Sequence, residues 1–319
     1  EILYNHANIF LWLMIAYSLL GISMVILGFA EVLSSGSKIN RAVRVLTKVL
    51  LGIMVLALAV QFMGLGVRWY LSGHAPWSNG YEAIIFISSI GVLAGLLLYK
   101  NRNAFIPAAG ALVAMIMMGF AHGGSMLDPQ ITPLEPVLKS YWLMVHVGII
   151  TSSYGFFGLS ALISVISLIM FCIKPTAKIQ NSIQELTIVN EMAAEIGLFA
   201  LTVGTFLGGI WANESWGRYW SWDPKETWAF ISIIFYAAIL HFRIVPGLKA
   251  KWIFNVAGMW MIWTIIFTYF GVNYYLSGLH SYAAGDPMPI PVWIPVTAVV
   301  MLILSVASYL GERKYFREQ

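Results

Sequence analysis

The sequence predicts an all-α, polytopic integral membrane protein with about nine transmembrane helices, eight at the fewest. Of its 319 residues, 60% are hydrophobic and only 10% are charged, whereas charged residues make up roughly 25% of ordinary soluble domains. So little polar surface could not cover a water-soluble fold. The composition therefore excludes a soluble enzyme, a disordered scaffold and a nucleic-acid-binding module, and it makes the lipid bilayer the first expected partner.

Nine apolar stretches are long enough to cross a bilayer, which takes about 20 helical residues. The fifth is long enough to tilt, and the seventh is short. We interpret residues 1–319 as a single transmembrane helical domain. The stretches run roughly over 9–30, 45–67, 82–99, 104–121, 142–173, 192–211, 227–242, 252–272 and 291–310.

The basic residues predict the orientation of the chain. The loops on one predicted side of the membrane hold fourteen Lys and Arg residues. The loops on the opposite side hold only Arg68, Lys139, Arg218 and Lys225. By the positive-inside rule the first set is cytoplasmic, so the N-terminus lies outside and the C-terminus inside. Three long outside segments follow, at 122–141, 211–226 and 273–290. The net charge of +4 thus belongs to cytoplasmic loops and does not indicate nucleic acid.

Residues 174–191 form a polar inside segment. Ile179, Ile183, Leu186 and Val189 recur in it at helical spacing, which is typical of an amphipathic interfacial helix. We expect this segment to be a cytoplasmic interfacial linker.

The chain has one cysteine, Cys172, and begins with Glu1. A single cysteine excludes an internal disulfide, a CxxC redox pair and a cysteine metal cluster. A start without Met is expected of a fragment or of the later part of a longer polypeptide.

A tryptophan-rich segment covers residues 211–228, WANESWGRYWSWDPKETW, and is predicted to lie outside the membrane. Interfacial belts use one or two Trp per helix end, whereas five of the thirteen Trp lie here: Trp211, Trp216, Trp220, Trp222 and Trp228. Aromatic faces suit a planar ring, and Arg or Lys suit its carboxylates. We favour a platform for a planar ligand over simple packing. Asp223, Pro224 and Glu226 also form a helix-start pattern, with Asp223 as the cap.

Six histidines are the candidate metal ligands. His146 and His280 fall on the same predicted side as the tryptophan-rich segment, and two neutral imidazoles can occupy the two axial positions of a haem iron. His241, near the inside end of the seventh stretch, is a weaker candidate because ionisable residues inside a membrane are often functional. We interpret His6, His74 and His122 as structural.

WGRYWSWDPKETW, from Trp216 to Trp228, resembles the WWD signature of the haem-handling proteins of cytochrome c biogenesis. PWSNGYEA at 76–83 and GVNYYLSGLHSYA at 271–283 are similar to the CcsA (ResC) type of system II. The resemblance covers about residues 60 to 310 and suggests the CcsA portion of a CcsBA-type fusion.

This resemblance implies a holocytochrome c synthase of the bacterial inner membrane with its site on the periplasmic side. Haem b would be exported and presented outside, where apocytochrome c adds its CxxCH thiols to the vinyl groups. His146 and His280 would ligate the outer iron, and His241 a transmembrane iron whose second histidine comes from a CcsB-like half. No residue is assigned as a general acid or base. The residues implied to hold haem are His146, His280, Trp216, Arg218, Trp220, Trp222, Asp223 and Trp228.

Three other interpretations stay open. A haem transporter or chaperone that delivers haem to a separate ligase would use the same residues. A bis-His electron carrier usually has paired histidines on the same spans, which this chain lacks. A solute transporter with an aromatic gate would leave the outer histidines without a role.

Overall fold

The computed structural model describes residues 2–100, 103–123, 127–131, 133, 139–280 and 289–316. Within these ranges, nine helices are long and apolar enough to cross a membrane, which confirms the predicted all-helical class and the nine spans. Parts of the predicted outer segments 122–141 and 273–290 lie outside the described residues. The helices are α1 (Ile9–Leu33), α2 (Ser37–Ser72), α3 (Gly80–Leu97), α4 (Phe105–Gly123), α5 (Tyr141–Phe171), α6 (Ala177–Trp216), α7 (Pro224–Leu240), α8 (Lys251–Ile266) and α9 (Trp293–Tyr315).

Several helices extend beyond the apolar stretches that predicted them, α6 and α2 by the most. α6 has 40 residues because most of the polar segment 174–191 joins the sixth stretch without a break. Ile179, Ile183 and Leu186 lie on its buried face, as their spacing indicates. α8 is continued by a π-helical turn, Phe267–Gly271, and a short α-helical turn, Val272–Tyr275.

The chain divides into two compact units, Glu1–Leu159 and Ser160–Gln319, and the division falls within α5. In the first unit α4 packs on α1 and α3, and α2 packs on α1 and α3. α3 and α4 approach closely at glycines: a Cβ on Gly110 would lie 2.7 Å from the carbonyl oxygen of Gly91, and one on Gly95 would lie 3.1 Å from Cα of Gly110. Such small-residue contacts are a common basis of helix association in membranes.

A buried ion pair secures one end of the first unit. Arg68 of α2, 2% exposed, donates from Nε to Oε1 of Glu82 in α3 at 2.8 Å, and Glu82 is fully buried. The guanidinium also donates to the carbonyl oxygens of Pro129 at 2.9 Å and Gln130 at 3.1 Å. Oε2 of Glu82 accepts a hydrogen bond from the backbone N–H of Ser78. Both charged groups therefore have further hydrogen-bond partners besides each other.

Glu82→Ala is expected to lower the free energy of unfolding by about 3–5 kcal/mol, because it leaves the Arg68 charge buried without its carboxylate. Thermal unfolding of the purified protein in detergent measures the effect. Lys38→Ala, which removes an exposed ammonium group from the first turn of α2, before the apolar stretch 45–67, is the control and should change stability by less than about 0.5 kcal/mol. Equal losses in the two variants would contradict the assigned role of the pair.

In the second unit α6, α7 and α8 pack in sequence, and α8 also contacts α6 and α9. Asn190 of α6 lies at a buried polar junction: its Nδ2 donates to Oγ of Ser164 at 2.7 Å and to Oδ1 of Asn255 at 3.0 Å. Three tryptophans of α8 donate from Nε1 to one side of α9. These pairs are Trp252 with Ser308, Trp260 with Ser305 and Trp263 with Met301.

Candidate functional site

The N-terminus of α7 is built as the sequence predicts. Asp223 is the N-cap and accepts the backbone N–H of Lys225 at Oδ2, 3.1 Å away, and Pro224 occupies the first helical position. Glu226 completes a capping box, since its Oε2 accepts the backbone N–H groups of Ser221 at 2.9 Å and Asp223 at 3.3 Å. These reciprocal bonds satisfy N–H groups that would otherwise lack partners at the helix start.

His280 is held by the same carboxylate that caps α7. Its Nδ1 lies 2.8 Å from Oδ2 of Asp223, and the backbone N–H of Leu279 donates to Oδ1 at 2.6 Å. Gly278 allows this approach, because a Cβ there would lie 2.5 Å from Oδ1. One buried side chain therefore joins the start of α7 to the segment 278–280, which lies 57 residues further along the chain.

The ionisation of Asp223 sets the tautomer of His280. Burial alone would raise the pKa of this carboxyl, but the hydrogen bond and charge of His280 and the N–H groups of Lys225 and Leu279 outweigh burial, so its pKa lies below the ordinary value. An ionised carboxylate only accepts hydrogen bonds. Nδ1 must therefore carry the proton of neutral His280, and Nε2 keeps the lone pair that a metal binds.

Two tryptophan rings flank the His280 ring. The ring centroids of Trp211 and Trp216 lie 5.5 Å and 5.1 Å from that of His280. Trp211 ends up beside Trp216, at 4.7 Å, because α6 continues to Trp216 before Gly217, with φ of 73°, ends it. Trp211 belongs to the predicted tryptophan-rich platform but not to the residues implied to hold haem, and its place five residues before Trp216 is the signal in the sequence.

The remaining predicted residues of the segment differ in exposure. Trp222 is 67% exposed and has φ of 59°, a strained left-handed conformation that bulky residues rarely adopt and that clusters at functional sites. Trp220 contacts it edge to face at 5.6 Å. Arg218 is exposed. Trp228 packs on Phe267 at 4.2 Å, against the π-helical turn.

His146 lies near the start of α5 in the first unit and is 6% exposed. Its Nδ1 is 2.7 Å from the carbonyl oxygen of Trp142, one turn earlier. His280 belongs to the second unit. The buried position of His146 is that of a fixed imidazole, as an axial ligand requires.

A bond to the preceding turn does not by itself distinguish a ligand from a structural histidine. His6 and His122 bond the carbonyl oxygen four residues earlier through Nδ1, and so does His241, exposed at the C-cap of α7. Nδ1 of His280 lies within hydrogen-bonding distance of the Asp223 carboxylate, at 2.8 Å, whereas Nδ1 of His74 lies 3.8 Å from Oε2 of Glu82. That bond makes His280 the most distinctive of the predicted ligands.

The model of the cytochrome c assembly protein family matches residues 77–280. The Wolinella succinogenes protein NrfI is 46% identical over 291 residues, which cover 91% of this chain and 32% of NrfI. The Chlamydomonas reinhardtii cytochrome c biogenesis protein CcsA is 35% identical over 244 residues, covering 74% of this chain and 67% of CcsA.

Among solved structures, the cytochrome c heme lyase CcmF has a similar fold, with a TM-score of 0.59 and 18% identity over 96% of this chain and 50% of CcmF. The chain thus spans about a third of the length of NrfI and half that of CcmF.

Proposed function

The chain belongs to the cytochrome c assembly protein family, and from that membership we propose that it presents haem b for covalent attachment to apocytochrome c. Haem is the substrate in this proposal. The iron is bound by Nε2 of His280 and by His146, and the tryptophan-rich segment contacts the ring. The site faces the periplasmic side of the bacterial inner membrane.

The observation that carries this proposal is the bond between Asp223 and His280. A histidine that donates through Nδ1 to a carboxylate has a fixed ring and a more basic Nε2, which are the properties of a metal-binding imidazole. Asp223 also caps α7, so the ring is attached to the start of a rigid helix. The rings of Trp211 and Trp216 add an apolar wall beside the same imidazole.

Other residues take supporting roles. Trp222, which is exposed and strained, presents an indole to the porphyrin face or to the incoming peptide. Arg218 is exposed on the same segment and suits a propionate carboxylate. His241 is the ligand of a transmembrane haem whose second histidine comes from a CcsB-like half, fused or separate.

The reaction is the addition of a thiol to a vinyl group. Each of the two cysteine sulfurs of CxxCH forms a bond to the vinyl carbon next to the ring, and the thiol proton goes to the terminal carbon, so there is no net oxidation or reduction. We assign no general acid or base. Holding the vinyl and thiol groups together supplies the catalysis, since a well-oriented pair avoids the entropic cost of meeting.

Expression in a bacterial host without its own cytochrome c pathway tests the activity. We expect the chain, together with its partner half, to produce a reporter cytochrome with haem that remains attached in denaturing gels. The spectrum of the reduced pyridine complex should show that the vinyl groups of the haem have been saturated by thiol addition. His280→Ala in the same host should abolish this product.

Haem bound to the protein without any covalent product would contradict the synthase activity and support the alternative, delivery of haem to a separate ligase. If neither haem nor product appeared with the partner half present, the haem-presenting role itself would be wrong.

A further inference from the structure

Trp77 lies in the connection between α2 and α3 and is held firmly there. Its backbone N–H donates to the carbonyl oxygen of Ala75 at 2.8 Å. The indole packs edge to face on Trp69 at 5.6 Å and against Phe86 of α3 at 4.7 Å. A side chain fixed by a turn and two aromatic neighbours can hold whatever it contacts on another helix.

The indole contacts α5 on both sides of His146. Nε1 of Trp77 donates to the carbonyl oxygen of Met144 at 2.9 Å, two residues before the histidine. Two residues after it, a Cβ on Gly148 would lie 3.3 Å from the indole. The flat ring therefore lies directly on the turn of α5 that carries His146, and the absence of a side chain at position 148 permits that approach.

This contact lies near the start of α5, where a helix is least stable. α5 begins at Tyr141, and the first turns of a helix fray because their N–H groups have no partners within the helix. The carbonyl oxygen of Trp142, which bonds Nδ1 of His146, lies in that first turn. A displacement of the turn would move the carbonyl and rotate the imidazole with it.

We propose that Trp77 is a positioning residue for His146, holding the start of α5 so that the imidazole keeps the orientation needed to bind iron. The inference rests on the proposed function, because it assigns Trp77 a part in haem ligation. All the contacts that carry it lie within the first unit.

Trp77→Phe tests the proposal, since it keeps an aromatic ring and removes the N–H donor. One lost hydrogen bond corresponds to about a two- to tenfold change in an equilibrium, so we expect low-spin haem in the purified protein to fall by about that factor. The electron paramagnetic resonance g values of the remaining low-spin iron should shift, and added imidazole should restore the low-spin signal. Trp12→Phe is the matched control, because Trp12 of α1 is a 65% exposed tryptophan of the same unit that takes no part in the contacts that fix Trp77, and it should match wild type.

Gly148→Ala disturbs the same contact from the other side and is a milder variant if Trp77→Phe folds poorly. It should shift the g values in the same way while the melting temperature is unchanged. Unchanged g values in both variants would overturn the proposal, and so would haem loss that follows the loss of folded protein and does not respond to imidazole. Absence of haem from wild type would instead contradict the proposed function from which this inference starts.

Discussion

Haem retained by the detergent-purified protein should fall at least about tenfold in His280→Ala, because even a change in the groups that support a metal-binding histidine costs about 10–100-fold in affinity. The reduced low-spin absorption of wild type should be replaced by a spectrum with one axial position open. Imidazole added at millimolar concentration should restore it, since the side-chain cavity then admits a free ligand of the same chemistry. His146→Ala should behave in the same way.

His122→Ala is the control for these variants. His122 lies at the end of α4 and bonds the carbonyl oxygen of Met118 at 2.9 Å, as His146 bonds that of Trp142. The two histidines therefore share a hydrogen bond to the preceding turn, while His122 is exposed and His146 is buried. A His122→Ala spectrum equal to wild type supports the assignment, whereas a low-spin spectrum preserved in both His146→Ala and His280→Ala would show that neither residue binds iron.

Local features of this protein could be predicted from the sequence because their causes are local. Nine apolar stretches predict the nine spans, since helices of that length and composition are stable in a bilayer without tertiary partners. The cap of α7 follows from Asp223, Pro224 and Glu226, which contact one another within four residues. The sequence does not distinguish two structures for the stretch 174–191, because its helical spacing fits a separate interfacial helix as well as the first turns of α6.

The decisive contacts of the candidate site join residues that are far apart in the chain. Asp223 and His280 were both predicted to contact haem. Nothing in their spacing along the chain shows that the carboxylate of Asp223 is hydrogen-bonded to the imidazole of His280. That bond depends on Gly278, which lets the chain approach the start of α7 closely. The contact of Trp77 with α5 and the ion pair of Arg68 with Glu82 were not predicted for the same reason, because each depends on how the helices pack.

Asp223→Asn should therefore lower haem retention nearly as much as His280→Ala does, although the side chains of Asp and Asn have nearly the same size. In wild type the carboxylate accepts three N–H groups, from Lys225 and His280 at Oδ2 and from Leu279 at Oδ1. An amide has one oxygen and one NH2 group. If the NH2 group replaces Oδ2, it donates to Nδ1 of His280, moves the ring proton to Nε2 and removes the lone pair that we propose binds iron. If it replaces Oδ1, it opposes the N–H of Leu279 and displaces the segment next to His280.

We expect Asp223→Asn to retain about 10–100-fold less low-spin haem than wild type, and imidazole should restore the spectrum as it does in His280→Ala. The double variant Asp223→Asn, His280→Ala should lose no more haem than His280→Ala alone, because both changes remove the same ligand. Additive losses would show that Asp223 acts on haem independently of His280. In wild type the pKa of Asp223 lies below 3.8, so the bond to His280 should persist above about pH 4 and be lost only as the pH falls through that lowered pKa.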